Sequence, residues 1–290
     1  MRTSFKRNVA AVSRRLRTRR NQAPLLDIKD LRAHNNDPRA MRYHDPYVLI
    51  EVPTSLGRGL RTFSLAENSP HPYVRASRAS IGSGNSEEPT IIHELTTYFD
   101  LVRPKSAAEW LGLEGRGIDR LDVAPPWSAN FPWRPKSFSE LEASGQIGEA
   151  SPGTIGHRPG GEPTALGARE IAAEASRLAC LTASVQRHGY QRHDRYGGDI
   201  AATVLRREDG EWRWVVFGGE HRAAVAAAVG MRRIPILPIR LVERGDVEVW
   251  PQVANGGFPV DAALEVFDRC FDGRPSPAAE DYVLLVTEHG

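Results

Sequence analysis

The stretch Trp212 to Arg240, WRWVVFGGEHRAAVAAAVGMRRIPILPIR, decides the fold. Trp212, Trp214 and Val216 alternate with Arg213, Val215 and Phe217, the period of a strand with two unlike faces. Gly218-Gly219 breaks that strand. An alanine-rich helix follows from about His221 and stops at Gly230, a natural C-terminal cap. Ile234, Ile236 and Ile239 supply a second strand, and because Pro235 and Pro238 lack the N–H a ladder needs, it should lie at an edge or be irregular. The change of period from two to about 3.6 across the glycines predicts an α/β unit.

Immediately upstream, Ile200 to Leu205 reads as a strand joined to Trp212–Phe217 by the short connection Glu208-Asp209-Gly210-Glu211, with Gly where a positive φ is needed. Before it, Ala168 to His188 reads as a helix that buries Ile171, Ala175, Leu178, Leu181, Thr182 and Val185 and ends at Gly189. The loop between them, Tyr190 to Gly198, is polar, with Gln191 and His193 as candidates for a substrate side together with Tyr190 and the more distant His157.

The turn Gly218-Gly219-Glu220-His221-Arg222 carries the candidate chemistry. A helix N-terminus offers unpaired N–H groups and the positive end of the macrodipole, both suited to an anion. Two glycines allow close approach to the backbone. Arg222 in the first turn opposes the dipole, at a cost of about 0.3–1 kcal/mol, which makes sense if a phosphate receives the guanidinium fork and the N–H groups together. The plainer use of the same residues is a tight turn, with Glu220 as a dipole-matched acid and Arg222 lying on the surface. Spacing alone leaves both open.

Glu-His-Arg after a β-hairpin, followed by an alanine-rich helix, Gly and Ile-Pro, resembles the ParB/sulfiredoxin superfamily. Upstream, LACLTASVQRHGY (Leu178 to Tyr190) is similar to the helix and turn that open that domain, so the resemblance spans roughly Glu170 to Leu241. It implies a small mixed-sheet domain that holds nucleotide phosphates at Gly218 to Arg222, with ATP or another nucleotide as ligand and Mg²⁺ beside it. Where sulfiredoxins carry a nucleophilic cysteine this chain has Glu220, and the motifs of chromosome-partitioning ParB proteins are missing after Arg240. A free serine kinase in the superfamily points instead to phosphoryl transfer, with Glu220 and His221 as the catalytic candidates and a small molecule or protein as acceptor.

Two further functions compete with this one. One is a module that senses a nucleotide or binds a protein or nucleic acid without turnover. The other is a metal-dependent nuclease recruiting Asp194, Asp199 and Glu220. The charge distribution weighs against the nuclease. Residues 1–20 hold eight Lys/Arg and no acid, which leaves 30 basic against 36 acidic residues in the remainder. A globular nucleic-acid reader concentrates basic charge on its folded surface.

Two cysteines make no disulfide framework and point to a reducing, cytoplasmic setting. Cys270 shares a helical stripe with Ala263, Leu264, Phe267 and Phe271 and reads as core, in an amphipathic helix over about Pro259–Phe271. Neither cysteine has a second Cys or His at metal-ligand spacing, and the longest apolar run, Ala223 to Met231, is too short for a bilayer. The chain divides into a basic arm (1–40), an N-terminal region (41–162) suited to an acceptor site or lid, the nucleotide-binding unit (163–250) and a C-terminal helix and tail (251–290).

Within the N-terminal region Tyr47 to Val52 reads as a strand. The stretch from there to Pro89 reads as loop-rich, with His71, Arg75 and Arg78 as a possible anion cluster. Thr90 to Leu113 carries a helical pattern, with Ala107, Ala108, Trp110 and Leu111 ending at Gly112. Trp127 and Trp133 in APPWSANFPWRP suit either a stacking wall or a core plug, and Val283 to Val286 reads as a last strand.

The arm has little apolar surface to bury and offers its charge to an acidic partner. Deleting residues 1–20 should move the thermal midpoint by no more than a degree or two. A large drop in a melting curve would show that the arm docks on the body.

Overall fold

The structure, a computed structural model, describes residues 38–39, 49–82, 87–135, 167–191 and 199–288. The basic arm to residue 37, His157 with its polar segment, His193 and Asp194 lie outside them, as does the side chain of Trp127. The fold is α/β. One mixed six-stranded sheet runs in the order β1-β6-β4-β5-β2-β3. Its strands are β1 Ile50–Pro53, β2 Gly57–Gly59, β3 Phe63–Ser64, β4 Ile200–Arg206, β5 Trp212–Gly218 and β6 Arg233–Glu243. The helices among the described residues are α1 Pro72–Gly82, α2 Glu87–Leu101, α3 Ala107–Leu111, α4 Asp119–Val123, α5 Ala168–His188, α6 Glu220–Ala228, α7 Pro251–Ala254, α8 Val260–Asp272 and α9 Glu280–Glu288.

The central unit follows the sequence pattern. The β4–β5 hairpin turns at Gly210 (φ 91°), and α6 ends with Gly230 at φ 78°. There the Gly230 and Met231 N–H groups bond to the carbonyls of Ala227 and Ala226, which satisfies the last turn. β6 is not an edge strand: it lies between β1 and β4, antiparallel to the first and parallel to the second. Its prolines sit where that ladder is absent or broken. β4 begins opposite Ile236, one residue after Pro235, and the register slips past Ile239 so that Ala202 faces Pro238 and Thr203 faces Arg240.

Two segments differ from the sequence reading. HPYVRASR is not loop but the start of α1. Pro72 occupies the first helical position, where its missing N–H costs nothing. The buried face includes Ser77 and Ser80 beside Val74, and those small polar residues hide the apolar stripe. Val283 to Val286 is not a strand but part of α9, where Tyr282 and Val286 are buried four residues apart while Leu284 and Leu285 are exposed. The strand expected over Tyr47–Val52 is β1, which ends at Pro53.

α8 matches its predicted span, and burial pushes the Cys270 thiol up to about 12. Trp133 is a core plug. It stacks on Phe131 and meets Trp250 and Phe267 edge-on at 5.5 and 6.0 Å.

The chain passes from β1 to β2 through a single turn, Thr54–Leu56. Those strands are four steps apart in the sheet, about 19 Å if it were flat at the usual strand spacing. Four residues of extended chain reach only about 14 Å. The sheet therefore curls until β1 approaches β2, and Trp214 fills the junction. Its indole N–H donates to the Pro53 carbonyl at 3.0 Å, and its ring lies so close over Gly57 that any Cβ there would enter it. Gly57→Ala should lower the free energy of unfolding by about 1–3 kcal/mol, the cost of overpacking against a ring that cannot move. Urea denaturation measures it, and a loss under about 0.5 kcal/mol would mean the junction is loose.

Candidate functional site

β5 runs into Gly219, which sits at φ 90° as the N-cap of α6 and supplies no side-chain cap. Glycine is demanded there by the left-handed backbone and by crowding. A Cβ would stand 3.1 Å from the Arg222 guanidinium and 3.2 Å from the Ile200 Cα. Gly218 is different: a Cβ there would meet nothing nearer than the Ala201 Cβ at 3.9 Å. The next three residues begin the helix, and each points at a partner from another segment.

His221 reaches α5. Its Nε2 lies 2.5 Å from Glu174 Oε2, and Arg177 donates to the other oxygen of the same carboxylate at 2.9 Å. With the Arg177 guanidinium on one oxygen of the carboxylate, the other faces His221 Nε2, and Nδ1 is the ring nitrogen that Glu174 leaves unengaged. The Tyr73 ring stacks on His221 with centroids 4.8 Å apart and 18° between planes. Burial, then the charges of Glu174 and Glu220, drive the Tyr73 phenol well above its usual range, so it stays protonated and acts through its ring.

Glu220 reaches α1. Its Oε1 lies 3.0 Å from His71 Nε2, and His71 Nδ1 accepts the Tyr73 backbone N–H at 3.2 Å. Gly59 of β2 leaves room for this pair, since a Cβ would overlap both the Glu220 oxygen and the His71 nitrogen.

The two pairs are built in opposite senses. In one, the anchor is a carboxylate (Glu174, 3% exposed) and the presented group is an imidazole (His221, 19%). In the other, the anchor is an imidazole (His71, 0%) and the presented group is a carboxylate (Glu220, 21%). Neighbouring residues of one helix turn thus offer a base of each kind, each backed by a buried partner. Arg222 donates to the backbone carbonyl of Asp199 at 3.2 Å, which ties the entry of β4 to the helix.

Of the residues singled out in the sequence, Gly218, Gly219, Glu220, His221 and Arg222 come together in this turn. Tyr190 and Gln191 follow α5, whose last residue is fourteen beyond Glu174 and so about 20 Å from it along the helix axis. The triad His71, Arg75 and Arg78 does not converge. His71 is buried against Glu220, Arg75 pairs with Glu94, and Arg78 pairs with Glu67 and Asn68. The two arginines instead line a cleft of about 400 Å³ whose charges are balanced.

The contributors that sequence reasoning missed are Glu174, Tyr73 and Gly59, and His71 was read in an anion cluster rather than as the partner of Glu220. Glu174 had left a signal: it stands three residues after Ile171 and four before Leu178, a charged group on a buried stripe. Among the described residues no group of three His, Cys, Asp or Glu side chains converges to hold a metal ion, and no helix is long and apolar enough to cross a membrane. Compared with protein-family models, with curated proteins and with solved structures, the chain returns no match.

Proposed function

We propose that the turn Gly218 to Arg222 binds the phosphates of a nucleotide such as ATP and that the protein transfers a phosphoryl group to a hydroxyl on a small-molecule or protein acceptor. The observation that carries this reading is the pair of buried anchors. An exposed Glu-His at a helix start would be ordinary, but here each side chain is held by a partner almost wholly removed from water. Keeping two ionisable anchors buried is costly unless both stay paired, and sites that move protons are where such arrangements recur.

In this reading the N–H groups at the start of α6 and the Arg222 guanidinium receive phosphate oxygens. His221 Nδ1 takes the proton of the acceptor hydroxyl while Glu174 fixes the ring's orientation and stabilises the imidazolium that forms. Glu220 is the donor this arrangement offers to Mg²⁺. With Glu174 already committed to Arg177 and His221, a magnesium ion would be held mainly by the phosphates, as is usual for this ion. Of the roles open to Glu220 in the sequence, base or metal ligand, this reading takes the second. The resemblance to the ParB/sulfiredoxin superfamily supports the same location for the phosphates.

One observation favours the alternative of a module that binds without turnover: Arg222 already has a structural bond to the Asp199 carbonyl, and Gly219 is required by the backbone alone.

Calorimetric titration with ATP, ADP and CTP, with and without Mg²⁺, tests the proposal. Arg222→Ala should weaken binding by about 1.5–3 kcal/mol, the value of a charge-assisted hydrogen bond, and Arg222→Lys should restore only part. His221→Ala should retain binding and abolish formation of a phosphorylated product. A wild type that binds none of these nucleotides at millimolar concentration would end the proposal, and so would Arg222→Ala binding equally well with an unchanged melting curve.

A further inference from the structure

We infer that the first turn of α1 is the positioning element of this site, with His71 aiming the Glu220 carboxylate and Tyr73 the His221 ring. His71 is the N-cap of α1 and is fixed on three sides. Its backbone N–H donates to Ser69 Oγ at 3.1 Å, its carbonyl accepts the Arg75 N–H at 3.0 Å, and its ring Nδ1 accepts the Tyr73 N–H at 3.2 Å. A ring nitrogen that accepts a backbone N–H carries no proton, so the neutral imidazole must bear its hydrogen on Nε2. That hydrogen is the one donated to Glu220.

The ring is wholly buried, with Phe63 edge-on at 5.9 Å and Tyr73 tilted against it, and Glu220 is the acceptor that its Nε2 hydrogen meets. Two residues further on, Tyr73 lays its ring against His221. One helix turn therefore fixes both groups that α6 presents. Gly59 completes the device, because only a residue without a side chain leaves space for the carboxylate and the imidazole to meet. The segment expected to act as a lid or acceptor region supplies part of the site's inner support.

This inference rests on the proposed function only for what Glu220 does, not for the geometry. His71→Asn keeps a side-chain oxygen that can cap α1 while ending the reach to Glu220. His71→Gln places an amide N–H near the position of Nε2. Gly59→Ala forces the pair apart from the other side.

The measurements are nitrogen-15 spectra of the imidazoles, the carbon-13 resonance of the Glu220 carboxyl, melting curves, and ATP binding and turnover. Wild type should show a protonated Nε2 and an unprotonated Nδ1 at His71. His71→Asn and Gly59→Ala should shift the Glu220 carboxyl resonance and lower kcat at least tenfold with ATP affinity within twofold, while His71→Gln should recover most of both. His71→Asn combined with Glu220→Gln should be no slower than the worse single variant.

The opposite tautomer at His71 would overturn the inference. So would an unmoved Glu220 resonance in His71→Asn, or equal losses in His71→Asn and His71→Gln that follow the melting temperature. If wild type turns over no nucleotide, the functional proposal fails, but the tautomer and the Glu220 resonance still decide the positioning.

Discussion

The crossing from β1 to β2 is too short for a flat sheet, and the site depends on that constraint. With only Thr54–Leu56 between them, the two strands can belong to one sheet only if it curls, and Trp214 over Gly57 is the contact that closes the curl. Thr54 joins in from the other side: its N–H and hydroxyl bond to the carbonyls of Arg232 and Met231, just past the end of α6. Closing the curl sets β2 parallel to β5, with Gly57 facing Trp214 and Arg58 facing Val215. Two residues beyond Gly57 is Gly59, and a dozen further is His71. Residues far apart in sequence thus reach the start of α6 because one loop has no slack.

The electrostatics follow from that proximity. An isolated carboxylate or imidazole placed where Glu174 and His71 sit would neutralise or find a partner, and each has found one on α6. Replacing His221 would leave Glu174 with Arg177 alone, and replacing Glu220 would leave the His71 Nε2 hydrogen without its acceptor, so each pair behaves as a unit. Coupling to the same short turn also explains the glycines. Gly219 sets the backbone entry and Gly59 the space for the carboxylate, while Gly218 leaves its side of the strand end open. A turn supported in this way has both outward groups backed by partners from other segments, the preorganisation that the proposed acid–base and phosphate chemistry would use.

Local pattern made the middle of the fold legible. The β4–β5 hairpin, α5, α6 and α8 each have a clear period and a glycine at the right end, and all four appear as read. What stayed hidden is what depends on distant packing. β6 contains two prolines, which marked it as an edge or an irregular strand; it is interior and irregular, because both fall at gaps in its ladder with β4. α1 buries serines where a stripe of leucines would have announced a helix, and α9 carries a run of four apolar residues of which only some face inward. The turn itself was legible in the sequence, but its anchors were not, since no local rule joins Glu174 to His221 across 47 residues or His71 to Glu220 across 149. The charged residue on the buried stripe of α5 was the one visible hint.

The most direct test of the central claim, that the start of α6 is a ligand-binding acid–base site, is a titration of nitrogen-15-labelled protein with a non-hydrolysable ATP analogue followed by backbone amide shifts. The account predicts saturable shifts centred on Gly218 to Arg222, spreading to Ile200 and to Tyr73 through the contacts described above. Shifts centred instead on the cleft beside Arg75 and Arg78, or no saturable shift at the α6 turn at millimolar analogue, would contradict it.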